Sequence, residues 1–251
     1  MKIFNFIPNF LTLSNLFFGC VAVVYGVMGD LEKLALFVSL GIICDFFDGF
    51  FARLLKVSSS IGKDLDSLAD MVTFGLAPAL IMFKLIGESC VLQLNSYLVE
   101  INPIDHLVFL PQYLALIITI FSAIRLAKFN NDSRQFDSFI GLPTPANAII
   151  ICSLPLISEF QPELTLINST INSLNFLICF SLLSSYLLVA EIPMFALKFK
   201  NFKWQDNKLR FVFLIMSLLF ILVFKFLAIP IIVIIYILLS IVNNIFLKKK
   251  E

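Results

Sequence analysis

Four aspartates lie inside or at the start of apolar stretches of this 251-residue chain. Asp45 and Asp48 are three residues apart, which places both side chains on one face of a helix. Asp66 and Asp70 are four residues apart and share a helix face in the same way. A charged side chain at the centre of a membrane helix costs about 2.5–3.5 kcal/mol on insertion scales, so these carboxylates indicate a functional site.

The chemistry that such a group of carboxylates suits best is the binding of divalent cations. Like charges in a low-dielectric cleft raise each other's affinity for protons unless a cation balances them. Mg²⁺ and Mn²⁺ prefer oxygen ligands and complete their coordination with water and substrate phosphates. Two such ions about 3.5–4 Å apart can hold both oxygens of an in-line phosphoryl displacement. The sequence therefore predicts a site for Mg²⁺ or Mn²⁺, with two ions, and a phosphorylated substrate.

Other residue types near these aspartates add little to the predicted site. His106 is the only histidine and falls in an outer segment, which argues against zinc. Asp64 precedes Asp66 by two positions and should point away from it on a helix. A purely structural role as a helix cap accounts for Asp66 alone but not for all four carboxylates.

The composition identifies the environment in which this site must be built. Apolar residues make up 60% of the chain and charged residues 14%, with a mean hydropathy of +0.99. These values exclude a water-soluble globule and a disordered chain. The net charge of +1 offers no basis for binding nucleic acid. We expect an all-α, polytopic integral membrane helical bundle.

Eight apolar runs are candidates for transmembrane helices, including a six-helix catalytic core. They cover residues 10–28, 34–54, 66–86, 107–127, 143–158, 172–196, 209–224 and 227–247. Residues 1–200 form the predicted membrane core, and residues 201–251 form a C-terminal hairpin that turns near Lys225. The short polar connection 55–63 makes its two flanking helices antiparallel neighbours, so both Asp pairs lie in the same half of the membrane.

The basic residues predict the orientation of the bundle. With the N-terminus in the cytoplasm, 15 of the 18 Lys and Arg residues fall on the inner side. We therefore expect a multi-pass protein of the cytoplasmic membrane, with both termini and the aspartates facing the cytoplasm.

The aspartates are part of a longer pattern of fixed spacing. Residues 45–70 match D-x2-D-G-x2-A-R-x8-G-x3-D-x3-D at all eight specified positions. The chain thus resembles the CDP-alcohol phosphotransferases, membrane enzymes that transfer a phospho-alcohol or phosphatidyl group from a cytidine diphosphate carrier to a hydroxyl. Small residues at Gly49 and Ala52 leave room for a nucleotide, and Arg53 can pair with a phosphate.

The resemblance implies a role for each matching position. Asp70 would be the catalytic base that accepts the proton of the attacking hydroxyl, and it would also contact metal. The implied metal ligands are Asp45, Asp48, Asp66 and Asp70. The implied contacts to CDP-diacylglycerol are Asn9, Thr12, Gly49, Arg53 and Ser59. A helix cap explains Asn9 equally well.

Later segments bear on the acceptor. Residues 67–79, 125–130 and 139–148 are similar to those of bacterial and archaeal phosphatidylserine synthases within this family. The similarity implies CDP-diacylglycerol and L-serine as substrates, membrane lipid as the setting, and a homodimer. Arg125 and Asn130 are the candidate acceptor-binding residues, although the positive-inside rule accounts for Arg125 equally well.

Two kinds of alternative remain open from the sequence. Another enzyme of the same family, an archaetidylserine, phosphatidylglycerophosphate or phosphatidylinositol synthase, would share the motif. A cation transporter could use intramembrane Asp pairs as an ion site, but it leaves the spacing of Gly49, Arg53 and Gly62 without a purpose.

Overall fold

The computed structural model describes residues 6–57, 59–96, 111–132, 139–194 and 204–248, which are almost entirely helical. The first five α-helices are α1 (Phe6–Met28), α2 (Leu31–Leu54), α3 (Ser60–Asp70), α4 (Ala77–Ser96) and α5 (Ile117–Asn131). The other five are α6 (Thr144–Phe160), α7 (Thr165–Ile171), α8 (Leu174–Val189), α9 (Trp204–Phe224) and α10 (Ala228–Lys248). The all-α prediction is confirmed.

Helix α1 packs against α2 through a face of small and polar residues. The buried positions recur every three or four residues, and they are Pro8, Thr12, Asn15, Gly19, Ala22 and Gly26. Without bulky side chains on this face, the two helix backbones can approach closely, as is common in membrane bundles.

The turn between α1 and α2 is closed by a helix cap. Asp30 accepts a hydrogen bond from the backbone N–H of Lys33 at 3.0 Å, and its other oxygen lies 2.7 Å from Lys33 Nζ. This side-chain hydrogen bond holds the pKa of the Asp30 carboxyl below its ordinary value. Gly29 adopts a φ of 84°, a left-handed conformation that only glycine adopts without strain. The cap and the glycine turn α2 back along α1 in an antiparallel pair.

The next helical stretch is interrupted by a π-helix directly after Asp70. Helix α3 begins where the Ser59 hydroxyl accepts a hydrogen bond from the Gly62 backbone N–H at 3.0 Å. The π-helix covers Met71–Leu76 and leads into α4. Segments of π-helix inside α-helices often occur at functional sites.

The main hydrophobic core lies between α1, α2, the π-helix and α4 to α8. Fully buried side chains at its centre include Leu34, Phe74, Ile81, Ile118 and Ile151. Large apolar side chains also cover the outside of the bundle, where they would be unfavourable in water.

Within the described residues, five helical stretches are long and apolar enough to cross a membrane, or six if a bent pair counts as one span. The five are Phe6–Met28, Leu31–Leu54, Ser60–Leu92, Pro111–Asn131 and Arg210–Val242. The bent pair is formed by α7 and α8, which meet at 67°, and α6 is apolar but shorter. A membrane helical protein is therefore confirmed, whereas the count of eight spans stays a prediction.

The last of these five stretches, Arg210–Val242, is not one straight helix, because α9 and α10 turn back on each other at Lys225. The rings of Phe213 on α9 and Tyr236 on α10 lie 5.9 Å apart, which is possible only if the two helices run antiparallel. Lys225 has a φ of 50° in the short 3₁₀ turn Lys225–Leu227 that joins them. Among the described residues, α9 and α10 therefore form an antiparallel pair. The predicted boundary at residue 200 falls outside the described residues, as do both chain termini, and the division into two domains stays a prediction.

One small element was absent from the prediction. Strand β1 (Phe139–Ile140) pairs antiparallel with β2 (Pro193–Met194), so that Phe139 faces Met194 and Ile140 faces Pro193. Each strand has only two residues, which is too short for alternating apolar and polar residues to indicate a strand. This pairing brings the start of α6 next to the chain that follows α8.

Candidate active site

Three carboxylates from α2 and α3 converge at the end of the bundle where these helices are joined. One ligand oxygen from each of Asp45, Asp48 and Asp66 lies within 4.8 Å of the other two. Asp48 is buried and the other two are half-buried. The short connection between α2 and α3 brings the two helix faces together, as the sequence predicted.

This donor set fits a divalent metal ion. All three ligands are carboxylates, which match the preference of Mg²⁺ or Mn²⁺ for oxygen. Asp66 Oδ1 is buried and has no hydrogen-bond partner, so this carboxylate carries a buried lone pair without compensation. A cation would satisfy that oxygen and balance the three negative charges.

Asp70 lies beside this cluster, one helical turn after Asp66. Its side chain is buried and within electrostatic range of Asp45 and Asp66. Its Oδ1 accepts a hydrogen bond from Asn15 Nδ2 at 3.1 Å. The structure thus gathers three of the four predicted ligands into one group and holds the fourth next to them by a separate contact.

Helix α1 supplies polar groups that orient two of the four carboxylates. The Thr12 hydroxyl donates a hydrogen bond to Asp48 Oδ2 at 2.6 Å, and Asn15 holds Asp70. Both of these α1 side chains are buried. In the bundle, α1 therefore forms the third wall of the carboxylate site, in addition to α2 and α3.

Asn15 is a site residue that the sequence reasoning missed. A signal for it was present, because Asn9, Thr12 and Asn15 repeat every three residues and form one polar line along an apolar helix. Its backbone carbonyl also accepts a hydrogen bond from the hydroxyl of Thr73, in the π-helix, at 3.1 Å. Asn15 therefore connects α1 both to Asp70 and to the turn that follows it.

A cavity of about 540 Å³ opens next to the carboxylates, between α1, α2 and α3. Asp48 and Asp66 form one part of its wall. The five predicted contacts to CDP-diacylglycerol all line it, namely Asn9, Thr12, Gly49, Arg53 and Ser59. The remaining lining residues are Pro8, Ala52, Lys56, Val57, Gly62 and Lys63. Its volume lies in the range of small-molecule sites, which is about 300–1,000 Å³.

The cavity combines acidic and basic walls. Arg53, Lys56 and Lys63 line it together with the two aspartates. A Cβ placed on Gly49 would come no closer than 3.4 Å to the Arg53 guanidinium, so this wall is open rather than tightly packed. Guanidinium and ammonium groups bind phosphate oxygens well. The sequence reasoning had not assigned a role to either lysine.

The candidate acceptor residues lie on α5, close to the same end of α3. Arg125 is buried, donates from Nε to the Leu142 carbonyl at 2.7 Å, and lies within electrostatic range of Asp70. Asn130 is exposed and donates from Nδ2 to the Ser67 hydroxyl at 2.8 Å. Neither lines the cavity described above. Arg125 is therefore separate from the basic wall of the cavity, and the Leu142 carbonyl holds it in place.

Comparison with known proteins gives a consistent result. The family model described as CDP-alcohol phosphatidyltransferase matches residues 5–181. The CDP-diacylglycerol–serine O-phosphatidyltransferase of Bacillus subtilis (strain 168) is 31% identical over 199 residues, covering 79% of this chain and 92% of that protein. The Helicobacter pylori (strain J99) protein of the same name is 30% identical over 247 residues, covering 97% and 92%. An archaetidylserine synthase from Methanothermobacter thermautotrophicus is 29% identical over 168 residues, covering 65% and 64%.

Proposed function

The chain belongs to the CDP-alcohol phosphatidyltransferase family, and from this premise we propose that it transfers a phosphatidyl group from CDP-diacylglycerol to L-serine. The products are phosphatidylserine and CMP. The observation that carries the proposal is the position of the three-carboxylate cluster at the wall of a cavity that also carries basic residues. Such a cavity suits a pyrophosphate flanked by a nucleoside.

The donor would occupy the cavity between α1, α2 and α3. Arg53, Lys56 and Lys63 are available for the phosphate oxygens, and Gly49 leaves space for the nucleotide against α2. Asp45, Asp48 and Asp66 would hold one or two Mg²⁺ or Mn²⁺ ions. When bound there, these cations would neutralise the negative charge on the pyrophosphate.

The acceptor would approach from the side of Asp70. With Asn15 donating to Oδ1, the second oxygen of Asp70 is left to accept the proton of the serine hydroxyl. The serine oxygen then forms a bond to the phosphorus that bears diacylglycerol. The bond from that phosphorus to the oxygen of CMP breaks, and CMP leaves with the electron pair. In such transfers, positioning and charge neutralisation provide most of the rate enhancement.

The location follows from the same helices. The protein is membrane-embedded, and we propose that it lies in the cytoplasmic membrane with the aspartates open to the cytoplasm, where serine and CMP are soluble. The basic residues near the cavity support this orientation, because positive charge is retained on the cytoplasmic side. A homodimer remains part of the proposal through the family resemblance alone.

The test is an acceptor panel. Purified protein in detergent or lipid is given CDP-diacylglycerol with Mg²⁺ or Mn²⁺, and release of CMP is measured with serine, glycerol 3-phosphate or inositol. We expect release with serine and formation of phosphatidylserine. Release with another acceptor alone would replace serine by that acceptor. Metal flux across vesicles without nucleotide dependence would favour a transporter instead.

A second donor is worth including because of the archaeal relative. The name archaetidylserine synthase describes an enzyme that makes the corresponding archaeal lipid with serine. The same assay with an archaeal ether-linked CDP-lipid compares the two donors directly. In this proposal the cavity holds the nucleotide of the donor, so the lipid-facing side of the protein selects the lipid part of the donor. We propose CDP-diacylglycerol as the donor, because the bacterial relatives are covered over a larger share of their length.

A further inference from the structure

Arg125 on α5 is held in place by two contacts. Its Nε donates a hydrogen bond to the carbonyl of Leu142 at 2.7 Å. Its Cζ lies 5.5 Å from the centre of the Phe129 ring, within range of a cation–π interaction. Only 6% of Arg125 is exposed, and neither Nη atom bonds to a described residue. The four N–H groups of the two Nη atoms are therefore available, and such a fork binds a carboxylate through two parallel hydrogen bonds.

Two contacts define how α5 lies along α3 and the π-helix. Ser67 on α3 accepts a hydrogen bond from Asn130 Nδ2 at 2.8 Å. A Cβ on Gly75 of the π-helix would lie 3.1 Å from the Cβ of Ser122. From the first contact to the second, the chain advances by eight residues along α3 and the π-helix and goes back by eight residues along α5. The two stretches therefore run antiparallel in a fixed register.

This register places Arg125 at nearly the same depth in the bundle as Asp70. Asp70 comes three residues after Ser67, so it is level with Ala127 on α5. Arg125 is two residues from Ala127, which corresponds to about 3 Å along the helix axis. Serine carries its carboxylate and its hydroxyl within one small molecule, so the groups that bind them must lie at similar depths. Arg125 and Asp70 meet that requirement.

The Leu142 carbonyl belongs to a turn that is fastened to the chain at the end of α8. The backbone N–H of Leu142 donates to the Leu187 carbonyl at 2.9 Å. The backbone N–H of Gly141 donates to the Ile192 carbonyl, also at 2.9 Å. Immediately before this turn, β1 pairs with β2. The carbonyl that bonds to Arg125 is thus fixed by main-chain hydrogen bonds.

Gly141 has no room for a side chain in this turn. Its φ is 79°, a left-handed conformation that glycine adopts without strain. A Cβ at this position would lie 2.5 Å from the Leu188 carbonyl oxygen and 3.1 Å from the Ala190 carbonyl oxygen. Both are main-chain atoms, which cannot rotate away as the end of a side chain can. Any side chain at residue 141 must therefore move the turn and the Leu142 carbonyl with it.

We infer that Gly141 is a positioning residue for acceptor binding, acting on Arg125 through the Leu142 carbonyl. The inference rests on the proposed function, because it assigns the Arg125 guanidinium to the serine carboxylate. A basic residue retained only for membrane orientation would not need burial against a carbonyl. Gly141 and Leu142 themselves do not touch the acceptor, and they determine where the guanidinium lies.

The first test is the substitution Gly141→Ala in the full-length protein. We expect about a tenfold rise in KM for serine, the effect of displacing one charged hydrogen-bonding group. KM for CDP-diacylglycerol should not change. An unchanged KM for serine in a folded Gly141→Ala variant would overturn the inference.

Gly29→Ala is the matched control for backbone strain. Gly29 also has a left-handed φ, 84°, but it lies in the turn between α1 and α2. A Cβ there would meet only the end of the Lys84 side chain, at 3.3 Å. Gly29→Ala should lower the melting temperature without changing KM for serine. The same rise in KM in both variants would show a general effect of strain and would contradict a role specific to Gly141.

Serine methyl ester separates carboxylate recognition from a merely structural effect. The ester keeps the hydroxyl and the amino group of serine but lacks the carboxylate that Arg125 would bind. The preference for serine over the ester, measured as the ratio of the two kcat/KM values from CMP release, should fall about tenfold in Gly141→Ala. Equal losses with both acceptors would leave this ratio unchanged and would overturn the inference.

Arg125→Lys breaks the same contact from the other side and leaves the turn unaltered. Lysine keeps the positive charge but has no Nε donor partway along its side chain, so it cannot bond to Leu142 and present a fork to the acceptor. The preference for serine over the ester should fall, and Gly141→Ala should add little in this background. A preference equal to that of the wild type in Arg125→Lys would overturn the inference even if Gly141→Ala did not fold. Equal effects of Gly141→Ala in both backgrounds would do so as well.

The two proposals fail in different ways. A wild-type protein that releases no CMP in response to serine would contradict the proposed function and the inference together. A wild-type protein with serine-dependent release, combined with a Gly141→Ala variant of normal preference for serine, would contradict the inference alone.

Discussion

Asn15 on α1 donates a hydrogen bond from Nδ2 to Oδ1 of Asp70 on α3, at 3.1 Å, inside the apolar part of the bundle. Asn15 is fully buried, and its backbone carbonyl is held by the Thr73 hydroxyl of the π-helix. Burial and this backbone hydrogen bond therefore hold Asn15 in place beside the carboxylate of Asp70. One oxygen of Asp70 is occupied by this contact, which leaves the other oxygen for the proposed acceptor.

Replacement of Asn15 should impair turnover more than donor binding. In Asn15→Leu the Asp70 carboxylate loses its orienting donor, and we expect kcat to fall about 10- to 100-fold, as for other contacts that orient metal-site carboxylates. The measurement is CMP release at saturating serine, together with binding of CDP. The matched control is Ser14→Ala, because the Ser14 hydroxyl donates to the Phe10 carbonyl of its own helix at 2.8 Å and, within the described part of the chain, bonds to no site residue. Equal losses in both variants would show that the effect comes from α1 and not from Asp70.

Substitution of Asp70 and substitution of a clustered aspartate should impair different steps, namely turnover and metal-dependent CDP binding. Asp70→Asn should retain CDP binding but lose turnover by about 100- to 10,000-fold, because the proton acceptor is removed. Asp66→Asn should weaken metal-dependent binding of CDP, since its carboxylate belongs to the cluster. Calorimetric titration with CDP and the CMP-release assay separate the two effects.

Asp64 provides the internal control for this pair of substitutions. It is exposed, lies on the same helix, and is not among the clustered ligands. Asp64→Asn should leave binding and turnover unchanged. Full activity of Asp70→Asn would remove Asp70 from the role of base, whatever the behaviour of Asp66→Asn.

Removal of divalent metal should abolish activity and weaken nucleotide binding together. Without a cation, the three converging carboxylates repel the pyrophosphate, and only the basic wall of the cavity remains favourable. After treatment with a chelator, addition of Mg²⁺ or Mn²⁺ should restore CMP release. Electron paramagnetic resonance of added Mn²⁺ counts the bound ions directly, and Asp45→Asn should lower that count. Undiminished CMP release in chelator would contradict the metal assignment.

Two glycines of α2 should respond differently to the same substitution. A Cβ on Gly41 would lie 2.5 Å from Thr73 Cγ2 and 2.9 Å from Asn15 Oδ1, so Gly41→Ala must push α2 away from α1 and the π-helix. Overpacking of this kind costs about 1–3 kcal/mol. We expect a lower melting temperature and lower turnover, because the Asn15 contact to Asp70 is disturbed.

Gly49→Ala is the companion to that experiment. The nearest atom to a Cβ at Gly49 is Arg53 Nη1 at 3.4 Å, which is an ordinary contact, so the helix packing is preserved. The added methyl group narrows the cavity that Gly49 lines, and the affinity for CDP should fall while the melting temperature stays normal. Thermal melts and CDP titrations of both variants check the contrast. A stable Gly41→Ala variant would show that the helices can separate without cost.

Much of the site follows from local spacing in the chain. The i, i+3 and i, i+4 intervals of the aspartates place each pair on one helix face, and the short connection after Arg53 forces the two helices to be neighbours. The structure accordingly brings Asp45, Asp48 and Asp66 together, and the predicted nucleotide contacts line one cavity. Apolar run lengths likewise predicted the helices, because a backbone in lipid must satisfy its own hydrogen bonds.

Other features had no local pattern from which to be read. The β1–β2 pairing, the π-helix after Asp70 and the bend between α7 and α8 depend on how helices pack, not on hydrophobic period. Asn15 had a visible spacing, but its partner Asp70 is 55 residues away. Sequence pattern alone does not select a partner at that distance.

By itself the sequence determined an all-α membrane protein with a carboxylate motif for a cation, because helix geometry relates near neighbours directly to faces. The cytidine diphosphate carrier was implied by the resemblance of that motif to a known family. Only the tertiary structure decided that α1 completes the carboxylate site through Thr12 and Asn15, and that the carbonyl of Leu142 holds Arg125. These relationships arise where close packing of helices joins residues distant in the chain, and steric fit among whole helices, not the period of any one of them, selects such contacts.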